Sequence, residues 1–380
     1  MYVIRQAKID DVPTLLKLAK MVHFINLPAD REIIYTKIMR SQECFVRAAG
    51  GALPVSPENT DSRAGASGGV NAFSRNGDFF MFVLEDTATG VCLGTSQIVA
   101  RMGGPGNPNF SLILGRREFF SKSLQTGTSH IVARLHADES GPTELGGLIL
   151  QPASRGHKLG RLLSLIRFHL IGLHRDIFAD RVIAEMMGPV TLDGQSVLWE
   201  FFGRRFIPLS YSEADKHCQR SREFISALLP KEDIYLSLLP PEARDVVGRV
   251  GEETIPARRM LEKLGFSYRD KVDPFDGGPH LEVATDDISL VKATQRRELA
   301  AAGHAAHGAQ GYVSQLTTEG EFRAVETEFG LDARGRIALP KPVMSELGWE
   351  PGSAVGVTPL DNPAIAPAKS RGKPRKKART

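Results

Sequence analysis

Between Glu144 and Leu173 the hydrophobic period of the chain changes, and this change constrains the fold more than any other feature of the sequence. The segment "TELGGLIL" is typical of a buried strand, whereas "RLLSLIRFHLIGL" repeats its apolar residues at the spacing of a helix face. They are joined by "QPASRGHKLG", a turn that contains two glycines. A helix that begins after such a turn presents unpaired backbone N–H groups at a partial positive charge, so the turn predicts a site for phosphate oxygens.

The residues of this turn support an anion site without matching the common nucleotide motifs. Gly156 and Gly160 allow a ligand to approach the backbone, and Arg155, Lys158 and Arg161 can add charge-assisted contacts. The spacing is neither GxxxxGK followed by Ser or Thr nor GxGxxG, so the P-loop and the dinucleotide fingerprint are excluded. A plain strand-to-helix turn with solvated cations remains the alternative.

Strands and helices alternate along the rest of the chain. "YVIRQA" predicts a strand, "DDVPTLLKLAKMVH" a helix with Pro13 in its first turn, and "FFMFVLED" with "VCLGTSQIVAR" a hairpin around "TATG". "DRVIAEM" predicts a buried strand, and "PARRMLEKLGFSY" a helix that begins near Pro256 and ends at Gly265 before a new strand. This order predicts an α/β (α+β) layer fold with a mixed, twisted sheet.

Composition limits where the protein works and what it can bind permanently. No apolar run approaches the roughly 20 residues that span a bilayer, and the N-terminal segment lacks the apolar core of a secretory signal. We therefore expect a cytoplasmic protein without a membrane partner. Cys44, Cys92 and Cys218 lie far apart, which indicates neither a disulfide framework nor a zinc cluster. No metal and no permanently bound cofactor are expected.

The positive formal charge of the chain resides in its C-terminal end. Residues 369–380 hold 7 of the 48 Lys and Arg and no acid, which leaves 41 basic against 44 acidic residues, a charge of about −3, for the remainder. The body therefore does not indicate a nucleic-acid-binding surface, and nucleic acid is not an expected partner. Together with its prolines, residues 361–380 predict a disordered basic tail.

Low-order stretches divide the chain. Residues 51–77, rich in Gly, Ser, Pro and Asn, predict a flexible insertion, and "AAAGHAAHGAQG" near 300–311 predicts a linker. The division is then a large domain at 1–300 and a small β-rich module at 312–360, which we expect to pack against the body or to form oligomers.

The turn resembles the acyl-CoA loop of the GCN5-related N-acetyltransferase superfamily, whose usual form is Arg/Gln-x-x-Gly-x-Gly/Ala. Arg155 and Gly160 occupy the outer positions, but Lys158 stands where the middle glycine is expected. "ARRMLEKLGF", residues 257–266, resembles a later helix of the same superfamily. The resemblance implies a GCN5-related N-acyltransferase fold.

A closer resemblance covers residues 1 to about 300. "VLEDTATG", "LWEFFGRRF", "EADKHC", "PEARDVVG", "PARRMLEKLGF" and above all "FDGGPHLE" resemble the arginine N-succinyltransferase family. The resemblance implies transfer of succinyl from succinyl-CoA, a cosubstrate, to the α-amino group of L-arginine in arginine catabolism. It also implies a family insertion at 188–255 and a homo- or hetero-oligomer.

The superfamily resemblance assigns the coenzyme A site. It places the backbone of Leu148, Ile149 and Leu150 along the pantetheine arm, with Leu148 at the position that the family associates with succinyl-CoA; these three can equally be an ordinary buried strand. The pyrophosphate would lie in the loop formed by Arg155, Gly156, His157, Lys158, Leu159, Gly160 and Arg161.

Acidic residues are candidates for proton transfer and for binding the cationic amine. Glu185 lies inside the apolar "RVIAEMM", where burial would raise its pKa and permit a general-base role, and Glu144 begins the preceding strand. For both, a structural salt bridge or a guanidinium contact is an equal alternative. Asp273, Asp276 and Glu282, around "FDGGPHLE", are candidates for substrate binding, although "FDGGP" is also typical of a tight turn.

Two proton donors that the resemblance implies are missing. Gly251 occupies the family's usual histidine position, and Leu261 occupies the superfamily's usual tyrosine position. Glu252, Glu253 or His217 could supply the proton, or the thiolate could take it from water.

The function hypotheses are therefore an arginine N-succinyltransferase, a related N-acyltransferase acting on ornithine or another amine, and a non-catalytic coenzyme A-binding subunit or regulator. For the succinyl carboxylate the sequence offers four arginines without distinguishing them: Arg204, Arg205, Arg220 and Arg222.

Overall fold

The computed structural model describes residues 1–21, 27–51, 77–218, 220–303 and 308–360. The strands are β1 Tyr2–Gln6, β2 Phe79–Asp86, β3 Val91–Val99, β4 Asn109–Ser121, β5 Thr126–Asp138, β6 Thr143–Leu150, β7 Arg181–Glu185, β8 Ile234–Tyr235, β9 Ser267–Val272, β10 Pro279–Ala284, β11 Gln295–Glu298, β12 Ala309–Leu316, β13 Phe322–Leu331, β14 Ile337–Ala338 and β15 Ala354–Pro359. The helices are α1 Val12–Met21, α2 Arg31–Ala48, α3 Leu159–Leu173, α4 Val197–Phe201, α5 Tyr211–Cys218, α6 Glu223–Leu228, α7 Pro241–Val246, α8 Ile255–Lys263, α9 Ser289–Ala293 and α10 Lys341–Leu347.

The described strands form one mixed sheet in the order β11-β15-β12-β13-β1-β2-β3-β6-β7-β10-β9-β4-β5-β8, with β14 beside β13. Within this part of the chain only β6 and β7 pair in parallel, and every other pair is antiparallel. The predicted α/β fold with a mixed sheet is confirmed.

The centre of the sheet is buried on both faces. Successive side chains of a strand point to opposite faces, and in β2 Phe80, Phe82 and Leu84 join a core with α3, whereas Met81 and Val83 join one with α1. This explains why "FFMFVLED" is almost continuously apolar rather than alternating. The predicted strand β1, hairpin β2–β3 and helices α1, α3 and α8 are all present.

The region between β7 and α8, which includes α4 to α7, builds a second core against β4 and β9. At its centre the buried Trp199 ring stacks on Phe275, with ring centroids 4.7 Å apart. Because this region packs against the end of the sheet where β7 finishes, it supplies one wall of the site described below.

Two features of the sheet were not predicted. The long hairpin β4–β5 fills residues 109–138, where no element was predicted. At the other end of the sheet, β12, β13 and β15 continue the same sheet, because β13 pairs with β1. The residues predicted as a small β-rich module are therefore hydrogen-bonded to the body of the protein.

Some predictions fall on residues that the structure does not describe. The flexible insertion at 51–77 and the basic tail at 361–380 lie largely or wholly outside the described residues. Throughout the described ranges, the helices are too short or too polar to cross a bilayer.

Candidate active site

A gap opens between β6 and β7. The two strands pair only at Thr143 with Val182 and at Glu144 with Ile183, and beyond these residues β6 leaves its parallel neighbour. The pairing of β6 with β3 shifts register a few residues further on, between Gly146 and Ile149 of β6, opposite Gln97 and Thr95. A strand that loses one neighbour leaves backbone groups unpaired along that edge, and these can bond to an extended ligand.

The bulge that opens the gap depends on Gly147. Its φ is +57°, a left-handed conformation that side chains other than glycine rarely adopt. A Cβ at this position would lie 2.5 Å from Cδ of Gln97, which is too close for an unstrained contact. Gly147 of "ELGGL" therefore shapes the edge of the strand at the gap.

A cavity of about 210 Å³ occupies this gap. One wall is the β6 edge from Leu145 to Leu148, and the opposite wall is the end of β7 from Ala184 to Met187. Residues of α5, α8 and the 273–276 turn close the remaining sides.

Of the three β6 residues assigned to pantetheine, only Leu148 lines the cavity. Ile149 pairs with Thr95 of β3, and its side chain is buried in the core beneath α1. Leu150 pairs with Gly94 and packs against the α3 side.

The turn before α3 carries six consecutive backbone N–H groups, from Gly156 to Arg161, that donate to no acceptor within the described residues. The first helical bond runs from Leu162 N–H to the carbonyl of Lys158, and no side chain caps the helix. Gly156 has φ +87°, and Lys158 has φ +61°. Exposed amides at the start of a 15-residue helix form an anion site, as the sequence predicted.

The cations of this loop differ in their surroundings. Arg155 forms an ion pair of 3.1 Å with Glu253, a residue at the cavity wall, and Arg161 forms one of 3.2 Å with Glu326 of β13. Lys158 and His157 are exposed to solvent. Arg155 and Lys158 therefore lie at the open side of the loop, whereas Arg161 is directed toward the C-terminal strands.

Glu185 lies on the cavity wall at the end of β7. Its Oε1 accepts a hydrogen bond of 2.7 Å from Asn109 Nδ2 and lies 4.0 Å from His280 Nε2. Asn109 itself is buried, so the amide holds the carboxylate in one orientation.

Glu144 lies behind the cavity wall rather than on it. Its side chain is only 2% exposed, and its Oε1 has no hydrogen-bond partner in the described part of the protein. Burial, together with repulsion from Glu185, raises the pKa of Glu144 to about 8. At neutral pH Glu144 is therefore mainly protonated and carries no charge beside Glu185.

Three aspartates make the rest of the cavity acidic. Burial and repulsion from Asp273 together raise the pKa of Asp215 to about 7. Burial and repulsion from Asp276 raise the pKa of Asp273 to about 7 as well. Burial also raises the pKa of Asp276 to about 6, although Gly188 and Gly278 N–H groups donate to its carboxylate. All three line the cavity.

Two of these aspartates were predicted from the sequence, and the third was not. Asp273 and Asp276 were candidates, and "FDGGP" also forms the expected tight turn, in which Gly277 has φ +74°. Glu282 is directed elsewhere, because it pairs with Arg181 at 2.8 Å. Asp215 was missed, since its only signal is an acidic residue between Ala214 and Cys218 on the buried face of α5.

The structure shows the surroundings of the two positions at which the resemblance implies a proton donor. Gly251 donates its N–H to the carbonyl of Met187, and Leu261 lines the cavity with an apolar side chain. Of the proposed substitutes, Glu253 reaches the cavity, whereas His217 is exposed and packs on Phe224, with ring centroids 5.1 Å apart.

One group of side chains has the chemistry of a metal site. Ligand atoms of Glu185, Asp273 and His280 lie within 4.8 Å of one another, and His280 is 5% exposed with its Nε2 unpaired among the described residues. Two carboxylates and an imidazole suit a divalent cation. The same carboxylates equally suit a substrate cation.

Comparisons with known proteins agree on one family. A family model described as arginine N-succinyltransferase beta subunit matches residues 2–290. Relatives named arginine N-succinyltransferase from Escherichia coli O17:K52:H18 and from Shigella dysenteriae serotype 1 are each 34% identical over 303 residues, which cover 79% of this chain and 81% of theirs.

A solved structure gives the same result. The arginine/ornithine succinyltransferase subunit AI from Pseudomonas aeruginosa superimposes with a TM-score of 0.75 at 27% sequence identity. The match covers 95% of this chain and 99% of that one.

Proposed function

The chain belongs to the arginine N-succinyltransferase family, and we propose that its reaction, transfer of succinyl from succinyl-CoA to the α-amino group of L-arginine, takes place in the cavity between β6 and β7. It has the GCN5-related N-acyltransferase fold and is an acyl-CoA-dependent N-acyltransferase. The cytoplasmic location and the oligomeric assembly remain predictions from the sequence.

The observation that carries this placement is the opposite polarity of the loop after β6 and of the cavity beside β6. The loop presents six amides, from Gly156 to Arg161, that donate to no acceptor among the described residues, and an anionic diphosphate would bind there. Glu185, Asp215 and Asp273 line the cavity, where a guanidinium and an amine would bind. The β6 edge from Leu145 to Leu148 lines the same cavity and leads toward the loop, so a thioester whose diphosphate is held by the loop would reach an amine held by the carboxylates.

The chemical step is a direct acyl transfer. The arginine α-ammonium first loses a proton to a general base, and the neutral nitrogen attacks the thioester carbonyl carbon. The C–N bond forms, the C–S bond breaks, and the second nitrogen proton ends on the coenzyme A thiol. The products are N-succinylarginine, coenzyme A and one proton released through the base.

We assign the base to Glu185 because it faces the cavity and Asn109 fixes its carboxylate. Glu144 keeps a neutral carboxyl behind it, so only one negative charge is held at this point. No histidine or tyrosine stands at the expected donor positions, and Glu253 is ion-paired with Arg155, so the second nitrogen proton reaches the thiolate through water.

Separate effects on binding and turnover test this division. The double variant Arg155→Gln/Lys158→Gln should raise the KM for succinyl-CoA roughly tenfold or more with little change in kcat. The reason is that it removes two cationic side chains that would contact the diphosphate of coenzyme A. Glu185→Gln should lower kcat by roughly 100-fold or more and leave coenzyme A binding intact. Arg204→Gln/Arg205→Gln, which removes two exposed cations outside the cavity, is the matched control. An equal loss of coenzyme affinity in both active-site variants contradicts the assignment.

Ornithine is a second candidate amine, because the solved relative is named for both amino acids. Initial rates of thiol release with arginine and with ornithine at equal concentration distinguish the two. An enclosed acidic end suits the longer guanidinium side chain, so we expect arginine to give the higher kcat/KM.

A further inference from the structure

We propose that Arg222 forms a carboxylate subsite in this cavity, which binds either the terminal carboxylate of the acyl group or the α-carboxylate of the amino acid. The inference rests on the proposed function and deepens it. It selects one of the four arginines that the sequence could not distinguish, because Arg222 alone of these lines the cavity.

The cavity needs a cation to accept the reactants. Its lining includes Glu185, Asp215, Asp273 and Asp276, which favour the guanidinium and the amine. The reactants also carry two carboxylates, one at the end of the succinyl group and one on the arginine Cα. A carboxylate in an acidic, partly buried cavity is unfavourable unless a positive group pairs with it.

Among the described lining residues the cations are Arg167 and Arg222. Arg167 is buried, and its guanidinium forms hydrogen bonds within the protein. Its Nε donates to the Ser164 carbonyl at 2.9 Å, and its Nη2 donates to Ser164 Oγ at 2.6 Å. Its Nη1 lies 3.4 Å from the carbonyl of Gly146 on β6. These contacts direct Arg167 toward the backbone of α3 and β6.

Arg222 is oriented by the residue that also orients the base. Its Nη1 donates to Asn109 Oδ1 at 2.9 Å, and Asn109 Nδ2 donates to Glu185 Oε1 at 2.7 Å. Asn109 is 5% exposed, so this bridge is shielded from water. The contact is with a neutral amide, and it orients the guanidinium at the cavity that Arg222 lines.

The bridge places a cation one side chain away from the proposed base. A carboxylate bound by Arg222 would therefore lie a few ångströms from the reacting nitrogen, which suits both the succinyl carboxylate and the arginine α-carboxylate. Burial raises the pKa values of Glu144 and Asp215, and the positive charge of Arg222 partly offsets that rise, as expected of a cation close to both carboxyls. A guanidinium can bind a carboxylate through two parallel hydrogen bonds, which gives specificity as well as affinity.

The test is the selectivity of Arg222→Gln in four substrate combinations: succinyl-CoA or its uncharged analogue butyryl-CoA, each with arginine or with arginine amide. If the subsite binds the acyl carboxylate, kcat/KM falls roughly 10- to 100-fold with succinyl-CoA and changes little with butyryl-CoA. If it binds the α-carboxylate, the same loss appears with arginine and not with arginine amide. Arg222→Lys should recover part of the lost selectivity, because it keeps the charge but not the planar fork.

Uniform loss overturns the inference. If Arg222→Gln lowers kcat/KM equally in all four combinations, the residue only supports Glu185 through Asn109. No loss in any combination overturns it as well. Arg220→Gln, an exposed cation two residues away, is the matched control, and thermal unfolding with coenzyme A binding shows that the variants are folded. A wild-type protein that transfers succinyl to no amine contradicts the proposed function itself, which distinguishes that failure from failure of the subsite.

Discussion

At the scale of single residues, Lys158 occupies a conformation that normally selects glycine. Its φ of +61° lies in the left-handed region, at the position where the resembling loop has its middle glycine. The left-handed conformation costs a side-chain-bearing residue roughly 1–2 kcal/mol. The protein therefore keeps a cation next to the anion site at the expense of local backbone strain.

Two substitutions separate the charge from the strain. Lys158→Ala and Lys158→Gly both remove the ammonium group, but only glycine relaxes the backbone. We expect the glycine variant to be more stable than the alanine variant by about 1 kcal/mol in urea unfolding. Both should bind coenzyme A more weakly than the wild-type protein. Equal stability of the two variants would show that φ at this position is not strained.

The buried carboxyl of Glu144 makes stability depend on pH. Burial raises its pKa from 4.5 to about 8, so the folded state favours the protonated form. This stabilisation is complete below about pH 4.5 and is lost as pH rises toward 8. Glu144→Gln stays neutral at every pH. The difference between its free energy of unfolding and that of the wild-type protein should therefore shift in favour of the variant by roughly 2–4 kcal/mol as the pH rises from 5 to 8.5.

Urea unfolding at several pH values measures this difference. Glu118→Gln, at an exposed position of β4, serves as the control, and its difference from the wild-type protein should not change with pH. A constant offset for Glu144→Gln across the range would mean that Glu144 is ionised in the folded protein.

The sequence identified the acidic residues of the site only where a motif or a buried strand marked them. Glu185 stood out inside an apolar strand, and Asp273 stood out in a glycine turn. Asp215 lies on a short helix whose position depends on the packing of Trp199 and Tyr211. No local pattern carries that information, because the helix reaches the cavity through long-range contacts.

At the scale of elements, the gap between β6 and β7 depends on the bulge at Gly147. We expect Gly147→Ala to weaken succinyl-CoA binding, because the added Cβ is strained at φ +57° and meets the Gln97 side chain. The backbone strain alone is about 1–2 kcal/mol. Adding Gln97→Ala to Gly147→Ala should recover the part of the affinity that is lost to the steric clash. Titration with coenzyme A measures the affinity of each variant.

Gln97→Ala alone is the control for this series. If Gly147→Ala binds coenzyme A as the wild-type protein does, the bulge does not set the width of the gap. If the double variant is no better than Gly147→Ala, the loss comes from the backbone alone.

The elements that the sequence predicted correctly have strong local signals. The helix α3 begins after a glycine turn and keeps its apolar period, and α8 ends before Gly265, whose φ is +99°. The hairpin β4–β5 gave no such signal, since most side chains between Gly115 and Ser129 are exposed and follow no apolar alternation. Its strands pair because the chain reverses at 122–125, and the sequence there does not specify the partner.

At the scale of the whole molecule, the C-terminal strands complete the core rather than form a body of their own. Phe322 of β13 stacks on Phe45 of α2 with ring centroids 5.5 Å apart, and Tyr312 Oη donates to the carbonyl of Leu162 in α3. His169 of α3 is buried between Ser314 and Thr358, at 2.6 Å from each hydroxyl, and burial lowers its pKa to about 3. The glycine- and alanine-rich stretch near 300–311 predicted a linker, but composition cannot show that the following strand returns to pair beside β1.

This arrangement predicts that the protein unfolds as one unit. Removing residues 304–380 deletes β12, β13, β14 and β15 and exposes Ile4, Phe45 and Phe82, which Phe322 and Tyr312 cover. Each large apolar side chain contributes about 1.5–3 kcal/mol when buried. The loss of several equals the net stability of a domain, roughly 5–15 kcal/mol, so the shortened protein should be insoluble or lack a cooperative thermal transition. Removing only residues 361–380 should leave the transition and the turnover of succinyl-CoA unchanged, and this variant is the control. A cooperative transition and retained turnover in the chain ending at residue 303 would instead show that the C-terminal strands are a separable module.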